Sequence, residues 1–161
     1  MPITAYHCGP HIERFTLDRV GTGEGNMALG PGVYFATNPH IARRYCKYHD
    51  NAELTVVEID DRGLYESRSG NPDHLKKGLI ELARMLAAQK GMTSLPMGNT
   101  LKHGPGSVGD IFRAVGPRSG RKLMSTIGIT GLLERMPGSN GIEIAVYDLS
   151  IIRIVDRIAP G

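Results

Sequence analysis

The chain has 161 residues, 40% of them hydrophobic and 22% charged, which is enough for one domain with a real core and too few for two ordinary ones. A net charge of +3 permits an acidic ligand or partner without demanding one. No apolar run is long enough to span a bilayer and no secretory leader is visible, so a single cytoplasmic domain over residues 1–161, with no membrane partner, is expected.

Residues 3–8 read as a short strand ending at Gly9-Pro10, with His7 exposed at its end. Such a lone histidine is more often a surface or satisfied core residue than a catalytic one. Ile12, Phe15, Leu17 and Val20 fit either one helical turn or a loop packing inward. Residues 21–32 are dense in glycine. They lack the Gly-Lys-Ser/Thr of a phosphate loop, and a strand rather than a helix follows, so they read as a flexible loop able to approach a ligand closely.

Residues 30–46 run from a glycine turn into a short aromatic strand and then into a helix. Asn38 suits the N-cap and Pro39 the first helical position. Tyr34 ends the strand, and Tyr45 lies about two turns into the expected helix. Facing each other, the two rings would form a slot for a flat heteroaromatic ligand. On pattern alone, core packing of Tyr34, Phe35 and Tyr45 is the simpler reading.

Residues 54–60 form a β-branched strand, and Asp60, Asp61 and Gly63 turn the chain. Asn71-Pro72 repeats the helix start. Leu75, Leu79, Leu82 and Leu86 follow at helical spacing up to Gly91. Residues 91–106 have no period, and a loop of that length is expected to be functional or mobile. Two short helices over 107–115 and 119–127 would each take a serine N-cap, Ser107 and Ser119, with an exposed basic stretch between them. Leu132 and Leu133 mark a strand, residues 137–141 a turn, and two strands fill 142–158. In the first of these, alternation sets Glu143 on one face with Ala145 and Tyr147, opposite Ile142, Ile144 and Val146. Strands at both ends and helices between them predict an α+β fold with a mostly antiparallel sheet. Cys8 and Cys46 have neither metal nor redox spacing and are expected as two small buried thiols in a reducing compartment. No metal site is expected.

Three separated pieces together resemble the His-Tyr-Glu class of ADP-ribosyltransferases, which includes diphtheria toxin and the poly-ADP-ribose polymerases. Tyr6-His7 looks like the first-strand histidine motif. Gly32-Val33-Tyr34-Phe35-Ala36, with Tyr45-Cys46 downstream, is similar to the polymerases' second motif. Glu143 with Ile-Ala-Val-Tyr-Asp resembles the strand that opens on the catalytic glutamate. The Gly-Thr-Gly-Glu-Gly run looks closer still to a small phage branch found in polyvalent proteins. The resemblance spans nearly the whole chain and implies a split antiparallel sheet with flanking helices, with NAD as co-substrate.

By that resemblance, Glu143, His7 and Tyr34 are the catalytic set, and His7, Cys8, Gly9, Tyr34, Phe35, Ala42 and Tyr45 line the NAD site. His7 would bond the adenosine ribose, Tyr34 and Tyr45 would sandwich the nicotinamide, the Cys8 backbone would hold its carboxamide, and Glu143 would bond the nicotinamide ribose. The chain departs from the pattern in three places. Cys8 follows the histidine where glycine is usual, Ala42 replaces a serine that bonds the carboxamide, and Gly141 stands where arginine-modifying toxins carry Glu or Gln. The implied activity is mono-ADP-ribosylation of a macromolecule, a host protein ahead of nucleic acid, by a phage or bacterial effector. The region 91–122 is expected to read the acceptor. Two alternatives stand beside it, a catalytically degenerate binding module and an RNA 2′-phosphotransferase using Arg43, Arg44, Arg118 and Arg121.

Overall fold

Alternating β-branched and aromatic residues build most of the strands. β1 (Pro2–Gly9), β2 (Val33–Ala36), β3 (Glu53–Asp60), β5 (Gly131–Arg135), β6 (Ile142–Val146) and β7 (Ile152–Ile158) lie where the sequence predicts them, and β4 (Leu64–Glu66) is an addition. The structure, a computed structural model, describes residues 2–18, 29–48, 50–66, 70–95 and 108–159. The strands form one seven-stranded sheet in the order β4-β5-β6-β2-β1-β3-β7. It is antiparallel except for β4 and β5, which run parallel. A parallel pair needs a long crossover, and the helical middle of the chain supplies it.

β1 is bound very unequally to its two neighbours. It registers against β3 from Pro2↔Asp60 to Gly9↔Glu53, but against β2 only through Tyr6↔Ala36. No β2 residue is registered against His7, Cys8 or Gly9, so the two halves of the sheet part there.

One face is covered by α2 (Asp73–Gln89), α3 (Val108–Val115) and α4 (Pro117–Thr126). The α2 leucine stripe, Leu75, Leu79, Leu82 and Leu86, is buried there with Ile111, Met124, Leu132, Ala145 and Tyr147. Each fully buried leucine contributes about 1.5–3 kcal/mol. The opposite face buries Ala5, Phe35, Val57, Ile59, Leu133, Ile144 and Val146, with Phe15, Leu17 and Leu149 packed against them. A third, smaller cluster, Cys8, Ala36, Ala42 and Leu54, seats α1 (Pro39–Arg43) beside the end of β1.

Several local expectations are corrected. Of the two readings of residues 11–18, the structure takes the loop, with Phe15 and Leu17 packed inward. Asn38 does cap α1, accepting from the His40 N–H at 2.9 Å, but the helix ends at Arg43, so Tyr45 lies in the turn before a 3₁₀ segment (Cys46–Tyr48) rather than within a helix. Asn71 does not cap α2. Its side chain instead holds the Glu66 backbone at 2.6 and 2.8 Å, fixing the end of β4. α4 starts at Pro117, not Ser119, because Gly116 (φ 85°) breaks the chain and proline suits the first helical position. Residues 21–28, Ser107 as an N-cap, and positions 96–106 of the expected acceptor-reading loop lie outside the described residues.

Candidate active site

β2 and β6 place the first two predicted residues together. Tyr34 registers with Ala145 and Ala36 with Glu143. Directly opposed residues share a face, so Tyr34 and Glu143 project from the same side as diagonal neighbours, whose Cα atoms are about 7–8 Å apart. The Glu143 carboxylate is close enough that its charge opposes ionisation of the Tyr34 phenol. On its other side Glu143 stands opposite Glu134 of β5, a residue only 7% exposed.

The Tyr34 ring is held at its far end. Its hydroxyl accepts from the Leu29 N–H and donates to the Gly30 carbonyl, both at 2.8 Å. Burial is the main cause that keeps this phenol protonated, and the charge of Glu143 adds to it against the Leu29 bond. The buried Tyr147 hydroxyl donates to the Leu29 carbonyl, so two tyrosines clamp one turn. Gly30 has φ +89°, and a Cβ there would meet the Tyr147 hydroxyl at 2.7 Å, so the turn needs glycine. The half-buried Arg121 of α4 donates to the Pro31 carbonyl at 3.0 Å and closes the turn from the helix side.

Glu143 is fixed from the opposite end of β2. The Thr37 N–H donates to the Ile142 carbonyl at 2.9 Å, and the Ile142 N–H donates to Thr37 Oγ1 at 2.8 Å. Gly141 has φ +81°, and a Cβ there would collide with Thr37 Oγ1. A side chain at the position two before Glu143 would therefore be strained by the backbone angle and would displace the Thr37 hydroxyl.

His7 reaches this site through the parting of β1 and β2. Tyr6, not His7, shares the face of Ala36, Tyr34 and Glu143. The His7 ring packs with Phe15 and Phe35 on the other side, at centroid distances of 5.3 and 5.8 Å. Its Nδ1 lies 3.1 Å from the Tyr34 carbonyl oxygen, so the imidazole spans the gap. Phe35 is a buried core residue of that opposite face. Phe15, which the sequence offers only as one apolar residue of an inward-packing segment, supports the His7 ring.

The largest correction concerns the cysteines. Cys8 and Cys46 are not free thiols but a disulfide, with Cα atoms 5.2 Å apart. Their 38-residue separation carries no motif, and the packing of α1 on the end of β1 is what brings them together. Gly9 is buried at the end of β1, and Ala42 is buried against Cys8, Ala36 and Leu54. Ala42 thereby anchors α1 beside the end of β1. Tyr45, next to Cys46, is 41% exposed.

A surface groove of about 440 Å³ lies elsewhere, lined by Pro2, Glu58, Asp60, Arg62, Ile151 and Arg153. Pro2 and His7 are separated along β1 by about 17 Å at strand rise. The groove's charges are already paired, Arg153 with Glu58 at 2.5 Å and Arg62 with Asp60 at 2.6 Å, so it adds nothing to the site. Among the described residues no three His, Cys, Asp or Glu side chains gather as a metal centre requires. Compared with protein-family models, curated proteins and solved structures, the chain matches none of them.

Proposed function

We propose that this protein is an NAD-dependent mono-ADP-ribosyltransferase with an ADP-ribosyltransferase-like split sheet. It would transfer ADP-ribose to a macromolecular acceptor and release nicotinamide. The observation that carries the reading is the juxtaposition of Tyr34 and Glu143 on one face of adjacent strands, with His7 bonded to the Tyr34 carbonyl where β1 and β2 part.

The residues fit such a co-substrate in three respects. Tyr34 offers a ring whose edge is immobilised by its two hydroxyl bonds, suited to stacking on a flat heterocycle. The β2-facing edge of residues 7–9 has no strand registered against it, which suits backbone bonding to a carboxamide. Glu143 supplies a carboxylate on the same face, two residues along β6 from the partner of Tyr34.

Cleavage of the glycosidic bond to nicotinamide leaves positive charge on the anomeric carbon and ring oxygen of the ribose. A carboxylate fixed against that sugar stabilises charge that exists only in the transition state. Stacking holds the leaving group in line with the bond that breaks. The acceptor is proposed to be a host protein rather than a nucleic acid, and the setting the cytoplasm of a host cell, with the protein acting as a phage or bacterial effector. The test is nicotinamide release from NAD by purified protein without acceptor. Slow release, lost by about 10²- to 10³-fold in Glu143→Ala, is the expected result. No release together with no NAD binding by calorimetry rejects the enzyme reading.

A further inference from the structure

The Cys8–Cys46 bridge joins two parts of the candidate slot that no strand ladder joins. Cys8 follows His7 at the end of β1, and Cys46 follows Tyr45 in the turn after α1. α1 has only five residues, far below the length at which a helix holds by itself. It is seated by Ala42 and partly buried Ile41 on Cys8, Ala36 and Leu54. Neither cysteine belongs to the two larger cores, and the helices α2, α3 and α4 pack in a cluster that includes neither sulfur. What depends on the bridge is the placement of Tyr45 relative to Tyr34 and the end of β1.

We infer that this bridge is a redox latch on the slot: a dithiol reductant opens it and weakens binding of a ring ligand between Tyr34 and Tyr45. The inference rests on the NAD reading of the site. Cys8 is 4% exposed and Cys46 only partly buried, so Cys46 is the accessible sulfur. A thiolate of the reductant attacks Cys46 Sγ, the Sγ–Sγ bond breaks, and Cys8 leaves as a thiolate that takes up a proton. The second thiol then attacks the mixed disulfide and releases Cys46, which is protonated in turn. Two electrons and two protons pass from the dithiol to the cysteines, and the reductant becomes a disulfide. With the covalent tie gone, residues 39–48 keep only non-covalent links to the sheet, the Asn38 cap and the packing of Ala42 and Ile41 among them. If the binding arrangement is then populated about a tenth of the time, apparent affinity falls about tenfold. A cytosol that keeps thiols reduced would hold the protein in its weaker form, and oxidising conditions would raise its activity.

The test compares the oxidised wild type, the same protein after dithiothreitol, and the Cys8→Ser, Cys46→Ser double variant. NAD affinity is read by calorimetry and amide exchange over residues 39–48 by mass spectrometry. Reduction should weaken NAD binding about tenfold and speed exchange in 39–48, with α2 unchanged. The double variant should match the reduced protein and ignore the reductant. Should the variant fail to fold, the wild type with and without reductant decides the matter alone. Equal NAD affinity in both states, or unchanged exchange over 39–48, overturns the latch and leaves the NAD reading standing. An oxidised protein that binds no NAD overturns both.

Discussion

The Nδ1 of His7 lies 3.1 Å from the carbonyl oxygen of Tyr34, across the point where β1 and β2 separate. In the neutral ring this makes Nδ1 the protonated nitrogen and leaves the lone pair on Nε2. The bond gives His7 a placing task beside its proposed contact with ribose. His7→Ala should cost about 1 kcal/mol in chemical denaturation for the lost hydrogen bond. It should raise KM for NAD more than it lowers kcat, since the charge-stabilising carboxylate is untouched. A fall confined to kcat would assign His7 a different role.

Tyr34→Phe separates ring from hydroxyl. The ring stays, but the bonds to Leu29 and Gly30 go. At about 0.5–1.5 kcal/mol each, the loss should total about 1–3 kcal/mol and lower the melting temperature. Because a phenyl ring still stacks, NAD affinity should fall only as far as the turn loosens. Tyr34→Ala should fall much further, and equal affinities for the two variants would remove stacking from the account.

Gly141→Ala places a methyl on Thr37 Oγ1 at a backbone angle of +81°. Strain of this kind costs about 1–3 kcal/mol. The Thr37–Ile142 bonds that lead into Glu143 would give way first. The variant should therefore lose nicotinamide release beyond what its stability loss explains, measured well below its melting temperature. Gly141→Glu should fail in the same way and should not create arginine modification.

The loop that carries Phe15 is tied down by a titratable cluster. His11 Nδ1 lies 2.7 Å from Glu53 and its Nε2 3.0 Å from Glu13, and Arg157 of β7 approaches Glu53 at 3.7 Å. The bond to Glu13, then the bond to Glu53, raises the His11 pKa, and the bond to His11 lowers that of Glu13. A raised histidine value means the tie is complete below about 6.5 and is lost as pH rises through the folded value. A lowered glutamate value means the tie is complete above about 4.3 and is lost as pH falls. The loop should therefore be best held between those limits, and salt should weaken it because the pair is exposed. NMR titration of His11 checks this, with Glu13→Gln and Glu53→Gln each moving its pKa back toward the ordinary value.

Residues whose neighbours along the chain decide their fate were readable in the sequence. The leucine stripe of α2 and the alternation of β6 that sets Glu143 apart from Ile144 needed only periodicity. β4 was not readable, because three residues after a glycine turn carry no period and their partner strand lies beyond three helices. Glu134 looked like one polar residue in a Leu-Leu strand, and only the β5–β6 register sets it opposite Glu143. Tyr45 was placed inside a helix because its spacing from Pro39 suited one, but α1 stops at Arg43 before the 3₁₀ segment that carries Cys46. The disulfide and the His7 bond both depend on where β1, β2 and α1 meet, and no local pattern encodes that meeting.

The bond from Ile142 to Thr37 closes a separation of 105 residues. β2 therefore gains its second neighbour only after the ribosome has delivered β6, more than a hundred residues later. A product that stops short of β6 would carry the tyrosine strand and the histidine strand with no carboxylate beside them. On the proposed reading, NAD cleavage would have to wait until β6 has joined β2.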